Sequence, residues 1–422
     1  VAFSRRTFIK GLAATSGVGA IAGRVSGGQV AGRVVVVGAG YAGATAAKYL
    51  RLWAPEIEVI LVERNEDFVS CPLSNLVLGG SKTLRDITIS YDGLHKYGLR
   101  LVRDEIVAGD PTNRTVRLAS GTTLRYDRLI VAPGIDFMYE ELPGLGSPDA
   151  RTRVVHAWKA GAETALLRKQ LEAMRDGGVF AIHVPLTPYR CTPAPYERAC
   201  QVAFYFKQSK PKSKILVLDA NEDVQAEKAL FVAAWSDLYK GIVEYRSNSG
   251  LVDVDAATLT AKLDFEDVKA DVLNVVPPQK AARVAELLGL ITANKRWCGV
   301  DWLTMESTRI PGVHVLGDAT LAGPAMPKSG QLANQQARIC AAAVIALITN
   351  RPINQEPVLT STCYSFVDDR NAGHIAGTYV YDSAQKTMLQ AKGSGELADK
   401  ATEADGSHAM TWAKDIWADM LA

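Results

Sequence analysis

The sequence predicts an α/β protein: two doubly wound parallel-sheet domains followed by a C-terminal α+β segment. Three observations carry this. Residues 32–67 read as strand, glycine turn, helix, strand and acidic residue. Residues 176–221 repeat strand, helix and strand around a different turn. Residues 310–347 read as a strand, a Gly-Asp turn and a long Ala-rich helix. At 422 residues the chain exceeds one compact core, which also argues for more than one domain.

Composition excludes several classes. Hydrophobic residues are 48% and charged residues 22%, ordinary for a folded protein. A net charge of +2 gives no electrostatic case for nucleic acid or an anionic membrane. No apolar run in the body reaches the roughly 20 residues of a membrane helix, so no integral span is expected. No set of residues reads as a metal site. The start of the chain differs. "SRRTFIKGLAATSGVGAIAG" (residues 4–23) puts Arg5 and Arg6 before Phe8, Lys10 and a weakly apolar Ala/Gly stretch. That order resembles a twin-arginine export signal, and residues 1–31 are set apart from the fold on this ground. Export by this route carries folded protein and predicts a periplasmic location. Disulfides persist there, which bears on the six cysteines.

The first unit is the strongest signal. Val34 to Val37 form a continuous β-branched run, the pattern of a parallel strand buried on both faces. Gly38, Gly40 and Gly43 follow, then the helical "ATAAKYL" and a second apolar strand ending in Glu63. In such a Rossmann-type unit, Gly38 permits the tight turn and Gly40 lets the backbone approach a pyrophosphate. Gly43 lets helix and strand pack closely. The pyrophosphate sits on the N–H groups of the helix N-terminus. Glu63 is placed to accept from a ribose, with Arg64 beside it in the cofactor-binding set.

Two later stretches choose the dinucleotide. "YDRLIVAPGID" (126–136) is a strand ending in a turn that carries Ala132 and Gly134. "IPGVHVLGDATLAGPAMPKSGQLANQQARICAAAVIAL" (310–347) carries Gly317, Asp318, Lys328 and Gly330. Both resemble the later FAD motifs of the two-dinucleotide-domain flavoproteins. The resemblance implies FAD, with Asp318 bonded to its ribityl chain. It also implies a helix after Gly330 whose N-terminus favours an anionic reduced flavin.

The second unit lacks its glycines. Between the strand "VFAIHV" and the strand "KILVLD" the turn reads "PLTPYRCTPAP", with four prolines. Proline donates no N–H and fixes φ, so this turn cannot wrap a pyrophosphate, and NAD(P)H is not expected as a substrate. The turn carries Cys191, where proximity to a helix N-terminus predicts a lowered thiol pKa. A filler residue or a local bridge to Cys200 is the alternative. Glu197 lies just inside the helix, as a functional acid or as a simple complement to the helix dipole.

The segments "GAGYAGATAAKYL", "FVSCPLSN", "VAPGID", "YRCTPAPYERA", "HVLGDAT", "MPKSGQLAN" and "TCYSF" together resemble the flavoprotein subunit of flavocytochrome c sulfide dehydrogenase, a relative of the sulfide:quinone oxidoreductases. The resemblance runs from about residue 32 to the C-terminus and thins after about residue 366. It implies a covalent thioether from Cys71 to FAD. It also implies a redox-active disulfide between Cys191 and Cys363, hydrosulfide as substrate and a separate c-type cytochrome subunit as electron acceptor. In this reading Glu197 takes or relays a proton, Lys328 supports negative charge near the flavin, and Trp412 lies over its pocket. Haem is not expected on this chain, which has no C-x-x-C-H. Cys200 and Cys340 read as core thiols. The domain boundaries expected are 32–144 and 282–352 for the FAD-binding domain, 145–281 for the NAD-like domain and 353–422 for an interface segment. Trp412, Ile416 and Trp417 are expected on one face of a short terminal helix. A quinone-linked enzyme and a non-catalytic electron relay are the competing readings.

Overall fold

The computed structural model describes residues 31–422. The export-signal segment lies outside the described residues. The first sheet is wholly parallel, with strand order Val313–Val315, Arg128–Val131, Gly32–Val37, Ile57–Glu63, Arg100–Arg103. Its central strand pairs Val34 with Val59 and Val37 with Val62, and Val34 to Val37 are buried as the apolar run requires. The Gly43–Trp53 helix returns over the sheet, burying Ala44, Ala46, Ala47 and Leu50. Gly38 holds φ +89°. A Cβ on Gly43 would stand 1.7 Å from the Gly38 carbonyl oxygen, so only glycine permits this helix-to-turn contact.

The second sheet is also parallel, with order Val243–Arg246, Lys214–Asp219, Val179–Val184, Val272–Val275. Both doubly wound sheets expected from the sequence are thus present. An antiparallel pair, Ile135–Phe137 with Gln279–Ala281, stands where the chain leaves the first sheet and returns to it. Each domain also carries a three-stranded antiparallel meander, at residues 106–125 and 251–269, which the sequence reading did not anticipate.

The C-terminal segment is α+β. Val358–Phe366, Ala372–Asp382 and Thr387–Gln390 form an antiparallel sheet, and Glu396–Leu397 adds to the middle strand. The terminal helix spans Glu403–Leu421, 19 residues, and is not the short helix expected. Thr402 caps it, accepting from the Asp405 N–H at 3.0 Å. Asp419 ties this helix to two others. It accepts from Tyr49 Oη at 2.6 Å and from Asn334 Nδ2 at 2.7 Å, and it pairs with Arg338 at 2.7 Å. Among the described residues, no helix is long and apolar enough to cross a membrane.

Candidate active site at the junction of three segments

One cavity of about 690 Å³ opens where the first sheet, the proline-rich turn and the C-terminal sheet meet. Every sequence-predicted site residue except Gly43 lines it: Gly38, Gly40, Glu63, Arg64, Cys71, Ala132, Gly134, Cys191, Glu197, Gly317, Asp318, Lys328, Gly330, Cys363 and Trp412. Gly43 serves the packing behind it.

The dinucleotide end follows from the first unit. A Cβ on Gly40 or Gly134 would meet nothing within 4 Å, so these backbones stand open to a ligand. Glu63 is held at its strand end by the Ala39 N–H (2.8 Å), the Asn65 N–H (2.8 Å) and Asn65 Nδ2 (2.7 Å). Arg64 pairs with Glu105 at 3.4 Å, but both side chains are more than half exposed, so this pair contributes little. Asp318 is partly buried, and desolvation pushes its carboxyl up while Arg190 and Lys328 hold it down. Lys328 donates to the Asp318 carbonyl at 3.0 Å and to the Thr320 carbonyl, with its ammonium 3.8 Å from the Trp297 ring centre. Burial lowers its pKa to about 8. Ser329 caps the Gly330–Ile348 helix, accepting from the Leu332 N–H at 3.3 Å. Open glycine backbone, a fixed acceptor and a helix N-terminus fit a flavin dinucleotide.

Cys71 sits in the turn before the Ser74–Gly79 helix. Its sulfur accepts from the Ala160 N–H at 3.4 Å and lies 3.8 Å from the Trp158 carbonyl. Arg190, from the proline-rich turn, lies beside Cys71 and stands 4.0 Å from Asp318. The turn that lost its glycines now faces the first cofactor site.

Cys191 and Cys363 reach the cavity from different segments, and each is a free thiol here. Cys191 precedes the Ala194–Ser209 helix, and Cys363 lies on the Val358–Phe366 strand. The expected lowering of the Cys191 pKa is corrected. Burial pushes that thiol well above its ordinary value, Cys363 and Glu197 push the same way, and Arg190 only partly opposes them. A helix N-terminus is a local, modest term, whereas desolvation is set by tertiary packing. Burial also raises Cys363, to about 11, with Glu227 adding to it and the Ser361 and Ser329 hydroxyls opposing. Cys200, Cys298 and Cys340 are wholly buried.

Glu197 lies close enough to both thiols to act on them. Its carboxylate accepts from Asn75 Nδ2 at 2.7 Å and from the Phe366 N–H at 3.0 Å. Burial raises its pKa, against these donors and Arg198. A carboxyl whose pKa is raised in this way holds a proton more readily than a free one. Trp412 donates from Nε1 to Gln331 Oε1 at 2.9 Å, and the same oxygen accepts from the Thr362 N–H at 3.1 Å. Trp417 donates to Tyr41 Oη at 3.3 Å, and Ile416 is buried.

Sequence reasoning assigned no role to Arg190, Asn75 or Arg198, although all three lie inside motifs it quoted. It also could not see the fate of the second ribose position. Asp219 ends its strand as Glu63 ends the first, yet it is wholly buried. It accepts from Tyr196 Oη (2.7 Å), Tyr245 Oη (3.1 Å) and Asn221 (2.9 and 2.7 Å). Tyrosine side chains occupy the acceptor that a second ribose would need.

Comparison with known proteins agrees with this geometry. Residues 164–277 match the family model "Sulfide dehydrogenase [flavocytochrome c] flavoprotein chain, central". Residues 355–421 match "Flavocytochrome c sulphide dehydrogenase, flavin-binding", and residues 32–171 match "Pyridine nucleotide-disulphide oxidoreductase". The sulfide dehydrogenase flavoprotein chain of Chlorobaculum thiosulfatiphilum is 60% identical over 45 residues, covering 94% of that sequence and 11% of this chain. The mitochondrial sulfide:quinone oxidoreductase of Mus musculus is 24% identical over 346 residues, 78% of this chain and 74% of that protein. Among solved structures, the sulfide:quinone oxidoreductase of Aquifex aeolicus superposes with a TM-score of 0.76 at 17% identity. It covers 92% of this chain and 91% of that one, a likeness of fold. The chain belongs to the family of flavoprotein chains of flavocytochrome c sulfide dehydrogenase, sulfide-oxidising flavoproteins of the pyridine nucleotide-disulphide oxidoreductase type.

Proposed function

We propose that the chain oxidises hydrosulfide to zero-valent sulfur or polysulfide at a Cys191–Cys363 disulfide, with electrons leaving through FAD to a c-type cytochrome subunit. One observation carries this reading: two cysteines distant in sequence share a cavity with a carboxyl, Glu197, that acts on both. Hydrosulfide opens the disulfide by thiol–disulfide exchange, leaving one cysteine as a persulfide and the other as a thiolate. Glu197 accepts or relays the proton. A second sulfide, or a growing sulfur chain, releases the product. FAD supplies the capacity to take two electrons together and release them singly. Gly38, Gly40, Glu63, Ala132, Gly134 and Asp318 hold its dinucleotide part, with the Gly330 helix and Lys328 at the flavin.

Cys71 anchors the cofactor covalently in this reading. Its place in the cavity wall beside the Ala160 N–H supports that role. On the sequence of residues 4–23, the loaded protein is exported folded to the periplasm. The sealed Asp219 position supports a chain that does not use NAD(P)H.

Acid precipitation tests the anchor. Wild-type protein is expected to keep its yellow colour in the pellet, and a peptide containing Cys71 to carry the flavin mass. Cys71→Ser is expected to release all its flavin into the supernatant. Flavin washed free of wild-type protein rules out the thioether. Sulfide-dependent reduction of added cytochrome c, compared with reduction of a short-chain quinone, tests the acceptor. Preference for the quinone overturns the cytochrome assignment.

A further inference from the structure

Behind Cys363, outside the cavity wall, lies an acid that the reaction has not yet used. Glu227 precedes the Lys228–Ala233 helix at φ +50°, a left-handed position unusual for a side-chain-bearing residue. Its side chain is buried, at 4% exposure. One carboxyl oxygen accepts from Ser365 Oγ at 2.5 Å, and the other is buried with no partner. An ionised carboxylate with a bare buried oxygen is costly, and protonation removes most of that cost. Ser365 is two residues from Cys363 on one strand, so both side chains project from the same sheet face. The groups facing Glu227 come from every neighbouring element: Glu197 from the Ala194–Ser209 helix, His374 from the Ala372–Asp382 strand and Asp405 from the terminal helix. Lys228, next in the chain, pairs outward with Asp223.

We propose that Glu227 is a positioning residue for the sulfide reaction, whose bound proton keeps the site behind Cys363 neutral so that this sulfur can carry negative charge. When HS⁻ attacks the Cys191 sulfur, the Cys191–Cys363 bond breaks and a Cys191–S–SH bond forms. Electrons balance within the exchange, and the charge that arrived on HS⁻ ends on Cys363. A neutral Glu227 tolerates that charge, while an ionised one opposes it. The two serine hydroxyls beside Cys363 supply the favourable side of the balance. Burial drives the Glu227 carboxyl up to about 7, with Ser365 opposing, Glu197 adding, His374 opposing and Asp405 adding. The change of charge therefore falls in the working range of pH. The inference rests on the redox pair assigned above, but its test reads the thiol without sulfide turnover.

Flavin-loaded protein is reduced anaerobically with a phosphine and labelled with methyl methanethiosulfonate across a pH series. Cys363 and Cys191 are quantified by peptide mass. Glu227→Gln mimics the protonated acid at every pH. The ratio of its Cys363 labelling rate to wild type is expected near 1 at about pH 6 and to rise toward about tenfold by about pH 9, since one pKa unit is a tenfold change. Cys191 is expected to change by less than about twofold. A ratio that stays constant with pH reports loosened packing and overturns the proposal, as does no change at all. Should the variant fail to load flavin, wild type decides alone. Its Cys363 labelling is expected to climb by clearly less than about tenfold per pH unit between about pH 6 and 8, because Glu227 ionises over that interval. A full tenfold climb per unit overturns the proposal. Absence of sulfide oxidation by wild type defeats the function and leaves this pH dependence standing.

Discussion

Flavin-loaded Cys363→Ser protein, mixed anaerobically with sulfide, is expected to reduce its flavin about a thousandfold or more slowly than wild type. The loss of a reacting atom accounts for that scale. A serine hydroxyl fills the space of the thiol but cannot form or break the bond that sulfide attacks. Cys191→Ser is expected to lose as much. The double variant should lose little more, because residues that act as a unit are not additive. Stopped-flow loss of oxidised-flavin absorbance gives the rate, and dithionite reduction at the wild-type rate shows that the cofactor site survives. A single variant within tenfold of wild type removes the disulfide from the reaction.

Arg198→Leu carries the largest expected effect on stability. The guanidinium is 2% exposed and makes four hydrogen bonds. They run to Asn75 Oδ1 (3.1 Å), the His156 carbonyl (2.7 Å), Asn274 Oδ1 (2.8 Å) and the Ala157 carbonyl (2.7 Å). Burial lowers its pKa to about 10, so it stays charged at neutral pH. Leucine is of similar bulk but strips donors from both amide oxygens inside the protein. The expected cost is about 3–5 kcal/mol, because several buried acceptors lose their donor at roughly 1–3 kcal/mol each and some find another partner. Denaturant midpoints of the flavin-loaded proteins measure it, and a loss below about 1 kcal/mol overturns the account. Arg198→Lys keeps the charge, loses the planar fork, and should fall between the two.

What could be read from the sequence was what lies close together along it. The glycine turn, Glu63 and the two Rossmann-type units are local patterns, and the parallel sheets follow them closely. The terminal helix is longer than its Trp and Ile positions mark, because the polar and small residues of its first two turns carry no strong apolar stripe. The Thr402 cap was present in the sequence as a signal for a longer element. The sign of the Cys191 shift was misjudged because it depends on burial among residues far along the chain. Arg198, Asn75 and Glu227 are polar residues whose types normally mark a surface, and only folding turns them inward. The meeting of Cys191 with Cys363 was supplied by resemblance, since no spacing rule relates a turn before a helix to a strand near the end of the chain.

The chain order of the first sheet has a consequence for biogenesis. Its edge strand, Val313–Val315, is encoded after the whole of the second sheet. At the ribosome, the glycine turn therefore emerges long before the sheet that should carry it is complete, and the second unit is synthesised while the first still waits for its last strand. Cys363 and the hairpin that presents it come later still. A growing chain thus acquires its glycine turn, then Cys191, then the last strand of the first sheet with Asp318 and Lys328, and only then Cys363, so the cavity has all its walls only when most of the polypeptide has been made.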